Sequence, residues 1–180
     1  MASELGELAR RAQAGEIAAR QQLLVELYKC VRKHIYLAIG AGPIADDAVQ
    51  ETMIALHRGL AGFRGEASPK TWALSIAART AYRLRRKESR YLPVEDSAVD
   101  TAVFDVGQVE AAELVVLRRA LATLAPKKRD AFVLMAIFEL SAEEAGRALG
   151  TFANTAASRY RHARAELEAY LTAQQKLTNR

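Results

Sequence analysis

Apolar residues recur along most of this chain at the three- and four-residue spacings of helices. From Glu16 to Ile39, the positions Ile17, Leu24, Leu27, Tyr28, Val31, Ile35 and Ile39 describe one stripe on a long helix, which Gly40, Gly42 and Pro43 end. A second helix is expected from about Asp46, because acidic residues suit a helix N-terminus. Its Val49, Met53, Leu56 and Leu60 face inward, leaving Asp47, Gln50, Glu51 and Arg58 for other surfaces. Gly62 to Pro69 reads as a loop, with Ser68 as cap and Pro69 at the first position of the next helix. That helix runs to about Arg90 and turns Trp72, Ala73, Ile76, Ala77, Thr80 and Leu84 inward.

Periodicity weakens between Leu92 and Gln108, then resumes. A helix is expected from about Val109 to Leu124, striped by Leu114, Leu117, Leu121 and Leu124, and Pro126 opens another, with Phe132, Val133, Met135 and Ile137 supplying bulk. Ser141 and Glu144 form the pattern of a capping box, in which each side chain satisfies the other's free backbone donor. The short helix it starts ends at Gly150. Asn154 is then placed to cap a last helix running to about Leu171, with Ala156, Tyr160, Ala163, Leu167 and Leu171 toward the core. The fold class is therefore all-α: an N-terminal domain over residues 1–91, a linker over 92–108, and a C-terminal helical domain over 109–175.

Charge sharpens this picture. The chain of 180 residues carries a formal net charge of +5, which alone is a weak pointer to a polyanionic partner. Its distribution says more. Between Ser68 and Arg90 there are seven Lys or Arg and one Glu, and Arg79, Arg83, Arg86 and Arg90 line one outer helix face. From Tyr91 to Glu113 the balance inverts to six acidic residues and no Lys or Arg, so the linker is acidic. A solvated face is the plain alternative for the basic stripe; its charge density, beside a loop and an acidic linker, favours a surface that tracks phosphates.

Residues 141–171 spell a capped short helix, a glycine-containing turn and a longer helix, which is the helix-turn-helix pattern. Gly146 stands where the two helices cross. At 100° per residue, Asn154, Ser158, Arg161 and His162 project opposite the inward stripe of the last helix, and Arg159 and Arg164 flank it. Donors on the outer face suit base edges, and flanking arginines suit phosphates.

These stretches together resemble the extracytoplasmic-function sigma factors of bacterial RNA polymerase. Leu140 to Gly150, followed by Asn154 to Arg159 and Arg161 to Arg164, is similar to their promoter-reading C-terminal domain. Asp46 to Thr52, with its Val49-Gln50-Glu51-Thr52 core, is similar to an acidic segment of their N-terminal domain, and Trp72, Ile76-Ala77 and Arg85-Arg86 match its promoter-melting helix. The chain departs from the common pattern at Ala78-Arg79, Arg83, Ala157 and the turn Thr151-Phe152-Ala153.

The resemblance implies that Asp47, Gln50 and Glu51 bind core RNA polymerase, whose clamp and flap regions are the expected contacts. It implies that Phe63, Arg64, Ser68, Lys70, Arg79, Arg83, Arg86 and Arg90 serve the minus-ten element, where the loop from Arg64 to Pro69 captures an unstacked base. Asn154, Thr155, Ser158, Arg159, Arg161, His162 and Arg164 would serve the minus-thirty-five element. Core polymerase, promoter DNA and an inhibitory anti-sigma factor, free or membrane-anchored, are the implied partners.

No catalytic arrangement stands out. His34, His57 and His162 lack metal-ligand spacing and read as surface or semi-buried residues, so no metal and no cofactor are expected. Asp46-Asp47 and Glu143-Glu144 read as helix starts, not acid–base pairs. The single cysteine, Cys30, excludes an internal disulfide and reads as a buried thiol. The start MASELGELARR has no hydrophobic signal core, and no apolar run approaches membrane-spanning length, so a cytoplasmic location without membrane insertion is expected. An autonomous helix-turn-helix repressor or activator is the rival reading; it would bind DNA alone as a symmetric dimer. A purely protein-binding scaffold would leave both arginine surfaces without a role.

Overall fold

The computed structural model describes residues 3–88 and 116–178, and no strand occurs among them. The chain divides into two compact units, Met1–Asp96 and Ser97–Arg180. The expected linker, together with Arg90 and Leu114, lies outside the described residues.

The first unit contains α1 (Ser3–Gln13), α2 (Ile17–Ile39), α3 (Pro43–Gly59), a single 3-10 turn (Leu60–Gly62) and α4 (Pro69–Glu88). Helix α2 packs against the other three. Its Leu23, Leu27, Val31 and Ile35 are fully buried, beside Leu56 of α3 and Leu74 of α4. Ala48, Ala73 and Ala77, also fully buried, let the neighbouring helices approach closely. The sequence gives little sign of α1, because its buried face is one leucine, Leu8, with Ala9 and Ala12.

The stripe expected on α2 needs correction. Ile17 is 72% exposed at the first position of the helix, and Tyr28 is 44% exposed at the rim of a groove. A helix enclosed by three others buries more than one stripe, so Leu23 and His34 are inside as well. His34 is fully buried, not a surface or half-buried histidine, and burial pushes its pKa down to about 4. Helix α3 starts at Pro43, three residues before the expected Asp46, since proline pre-sets the backbone for a first helical position. Cys30 is half-buried, not fully buried as expected, and that burial still raises its thiol to about 11.

Helix ends in this unit are tied by long side chains. Arg85 donates to the carbonyl of Ala38 (3.3 Å) and Arg20 to that of His57 (2.9 Å). Gln13 donates to the carbonyls of Leu60 (3.1 Å) and Phe63 (2.6 Å), fixing the segment between α3 and α4. The Ala38 carbonyl lies in the last turn of α2, where intrahelical donors run out, whereas the Leu60 carbonyl also accepts the Phe63 N–H (3.2 Å).

The second unit contains helical residues 116–122 (α5), α6 (Pro126–Phe132) continuing into a single π turn (Val133–Ile137), α7 (Ala142–Leu149) and α8 (Ala153–Thr178). Arg129 closes the end of α5 by donating to the carbonyls of Leu121 (2.7 Å), Ala122 (3.0 Å) and Leu124 (3.1 Å). Leu121, Val133 and Leu134 are fully buried, and Phe138 nearly so. Phe132, Met135 and Ile137, expected as core, are only half-buried. The π turn is wider than an α turn and rotates the inward face onto Leu134 and Phe138. Helix α8 also passes its expected end: with no glycine or proline to stop it, it runs to Thr178 and leaves Leu171 43% exposed.

Candidate nucleic-acid interface

The C-terminal site is built on backbone packing. The Ser141 hydroxyl accepts the Glu144 N–H (3.2 Å) and the Glu144 carboxylate accepts the Ser141 N–H (3.0 Å), so the capping box is complete. The Glu143 carboxyl is held below its ordinary range by its own backbone N–H, then by the Ser141 hydroxyl. Gly150 ends α7 in the left-handed conformation, φ 62°. A Cβ on Gly146 would lie 2.9 Å from the Thr151 carbonyl oxygen and 3.1 Å from the Ala153 N. Only glycine lets the turn lie this tightly on α7.

Helix α8 hangs from the carbonyl of Phe152, which accepts the N–H groups of Thr155 and Ala156, both at 3.0 Å. Asn154 therefore stands inside the first turn and does not cap the helix, a correction to the sequence reading. Ala156 and Ala163 are fully buried and Leu167 nearly so, while Tyr160 is half-buried against Phe132, ring centroids 5.9 Å apart. Asn154, Arg161 and His162 are exposed; Thr155, Ser158 and Arg159 are half-buried. Arg164 is exposed and donates to Glu168 at 2.8 Å, one turn on, and this bond raises its guanidinium pKa. The outer face and the flanks of the helix thus carry the expected polar side chains.

The N-terminal site lies on α3, α4 and the loop between them. Asp47, Gln50 and Glu51 are exposed on α3. Beside Gln50 is a largely apolar groove of about 850 Å³, lined in part by Leu24, Tyr28, Val49, Met53 and Ile54. Sequence reasoning missed this groove, since it assigned Tyr28 to the core and left Ile54 unassigned. On α4, Arg79 and Arg86 are exposed, and Arg79 bends back to the Ser75 carbonyl (3.0 Å) and hydroxyl (3.3 Å). Arg83 is exposed but ion-paired to Glu51, so two residues expected to serve different partners touch. Arg64 is exposed and Lys70 half-buried.

The loop is held at both ends. Ser68 caps α4 by accepting the Thr71 N–H (3.0 Å), and its hydroxyl also meets the Thr71 hydroxyl (2.8 Å). Phe63 packs on Trp72, centroids 4.9 Å apart and planes 37° apart, so both rings are half-buried. No group of three or more His, Cys, Asp or Glu that could hold a metal occurs among the described residues, and no described helix is long and apolar enough to cross a membrane.

Comparison with known proteins agrees with this layout. Sigma-70 region 2 matches residues 21–91, and sigma-70 region 4 matches residues 114–167. The chain is 32% identical to the extracytoplasmic-function sigma factor SigM of Mycobacterium tuberculosis, over 86% of its own length and 78% of that protein's. It is 32% identical to EcfG of Rhodopseudomonas palustris, covering 71% of each. Among solved structures, CnrH in complex with the cytosolic domain of CnrY matches with a TM-score of 0.69 and 25% identity, over 92% of this chain and 96% of that one. The sigma factor RpoE of Bartonella quintana, in complex with the anti-sigma factor NepR, shares the fold at a TM-score of 0.68 and 22% identity, over 84% and 96%.

Two helical units matching sigma regions 2 and 4, in that order, define a sigma-type transcription factor. The chain belongs to the extracytoplasmic-function sigma factors of RNA polymerase. It is an alternative sigma factor that directs transcription initiation.

Proposed function

We propose that the two units divide the work of initiation. The N-terminal domain, residues 1–91, binds the polymerase clamp through Asp47, Gln50 and Glu51, with the apolar groove beside Gln50 supplying burial. Phe63, Arg64, Ser68 and Lys70 line the loop that receives an unstacked minus-ten base, and Arg79, Arg83, Arg86 and Arg90 track the strand's phosphates. The C-terminal domain, residues 109–175, lays α8 in the major groove of the minus-thirty-five element, and residues 92–108 connect the two. Arg161, near Ser158 and His162, reads a base edge; Arg159 and Arg164 hold phosphates. In this reading the polymerase makes every bond, and the chain acts as a non-enzymatic cytoplasmic subunit.

The observation that carries this reading is the clamp of Gly146 against Thr151 and Ala153, which fixes a polar helix face in a helix-turn-helix frame. An anti-sigma factor is a further partner, by analogy with the complexes of CnrH and RpoE. The apolar groove of about 640 Å³ between α5, α6 and α8, lined in part by Val116, Leu117, Phe132 and Leu171, suits a helix from such an inhibitor or from the polymerase flap. Permanganate footprinting of a promoter bound by the complete holoenzyme tests the division. Variants Arg83→Ala and Arg86→Ala should bind the duplex and fail to open it, whereas normal melting by both removes the melting role of α4.

A further inference from the structure

Phe152 is 84% exposed, the most exposed large hydrophobic side chain among the described residues. Its place is not that of a loose loop tip. Its carbonyl starts α8, accepting two N–H groups at 3.0 Å, and the residue before it lies against Gly146 with no room for a Cβ. The backbone on both sides is pinned, so the ring is offered to solvent from a fixed base. A phenyl ring left in water forfeits the burial that stabilises apolar side chains elsewhere in the fold.

Its surroundings indicate what the ring meets. Phe152 precedes Thr155 by three residues and Arg159 by seven, so it continues their flank of α8 toward the helix start. From Thr151 to Arg164 the chain has three arginines and no Asp or Glu, which favours a polyanion over an acidic or neutral protein surface. In a duplex, the apolar group available to a helix in the major groove is the thymine C5 methyl, and it lies toward the backbone edge of its own strand. A ring beside a phosphate-holding arginine is placed for that edge.

We infer that Phe152 is a specificity-determining residue that covers the C5 methyl of one thymine in the duplex element read by α8. The inference rests on the reading of α8 as the recognition helix. It adds to that reading a base contact made by the turn through apolar burial, where the other assigned contacts are polar.

Holoenzyme assembled from core polymerase and the full chain is used to select promoters from a randomised duplex library. On the recovered duplex, each thymine of the upstream element is replaced in turn by deoxyuridine, which removes only the methyl. For one thymine, wild-type affinity should fall about three- to fivefold, the worth of one buried methyl-sized group. Phe152→Ala should bind the thymine duplex more weakly and show no loss at that same position. Its fold should be unchanged, because the ring is exposed, and a circular dichroism spectrum checks this. Three results overturn the inference: no thymine whose methyl matters, a methyl effect that survives in Phe152→Ala, or an equal loss by Phe152→Ala on selected and random duplex. Arg161→Ala, run in parallel, separates the two levels. If it relaxes discrimination while Phe152→Ala does not, only the Phe152 contact fails; if neither variant alters selection, the reading of α8 fails with it.

Discussion

Arg83 of α4 and Glu51 of α3, 32 residues apart in the chain, are joined in an ion pair at the surface of the first unit. The two side chains are 60% and 44% exposed, so solvent screens the pair and its contribution to stability is at most about 1 kcal/mol. Its interest is functional, because it couples a residue assigned to polymerase with one assigned to DNA. Charge reversal by Glu51→Arg should weaken binding to core polymerase while moving stability by no more than about 1 kcal/mol. Unchanged core affinity, measured with the full-length variant, would remove Glu51 from the polymerase surface.

Much of this arrangement was legible in the sequence, and the misses have physical causes. The capping box at Ser141 and Glu144 was readable because both partners are local. Gly146 was readable as a crossing residue, though the atoms it touches were not. By contrast, the burial of His34 and exposure of Ile17 depend on which helices surround α2, and spacing along one helix does not report that. The π turn at Val133–Ile137 changes the period itself, so a fixed 3.6-residue template assigns its core residues wrongly. The Arg83–Glu51 pair joins separate helices, and the two charge patterns were read independently.

Gly146→Ala should damage the second unit twice over. The new Cβ meets backbone at 2.9–3.2 Å, which cannot swing aside as a flexible side chain would. A loss of about 1–3 kcal/mol is expected, with α8 displaced from its docking angle. Chemical denaturation and duplex binding by the variant should both show the defect. Wild-type values in both would mean that the turn tolerates a side chain at this crossing.

His34 should give stability a pH dependence. Folded, its pKa is about 4; unfolded, it returns to about 6.5. Between these values the unfolded chain binds more protons, so stability is full above about pH 6.5 and falls as pH drops toward 4. The total loss from this group is about 3 kcal/mol. His34→Leu should flatten that part of the curve relative to wild type. Parallel curves from pH 7 to pH 4 would show that His34 takes up its proton without unfolding.

Arg161 and Arg164 should separate in salt-titrated binding by holoenzyme to selected and random duplexes. Arg161→Ala should cost about 1–3 kcal/mol on the selected sequence and relax discrimination at one position. Arg164 is engaged with Glu168, and its proposed role has it exchange that partner for a phosphate on DNA. Arg164→Ala should therefore weaken binding to all sequences alike and lower the salt slope by about one unit. Equal losses by both variants on both duplexes would contradict a base-reading Arg161.

The central claim, that this chain confers promoter-specific initiation on core polymerase, is tested most directly by run-off transcription. Purified core polymerase is supplied with a template carrying a promoter selected by the holoenzyme, with and without the full chain. A discrete transcript from that promoter should appear only when the chain is present, and the chain alone should hold the same duplex far more weakly than holoenzyme does. Tight binding by the chain alone, as a symmetric dimer that leaves core polymerase without a specific transcript, would contradict the account.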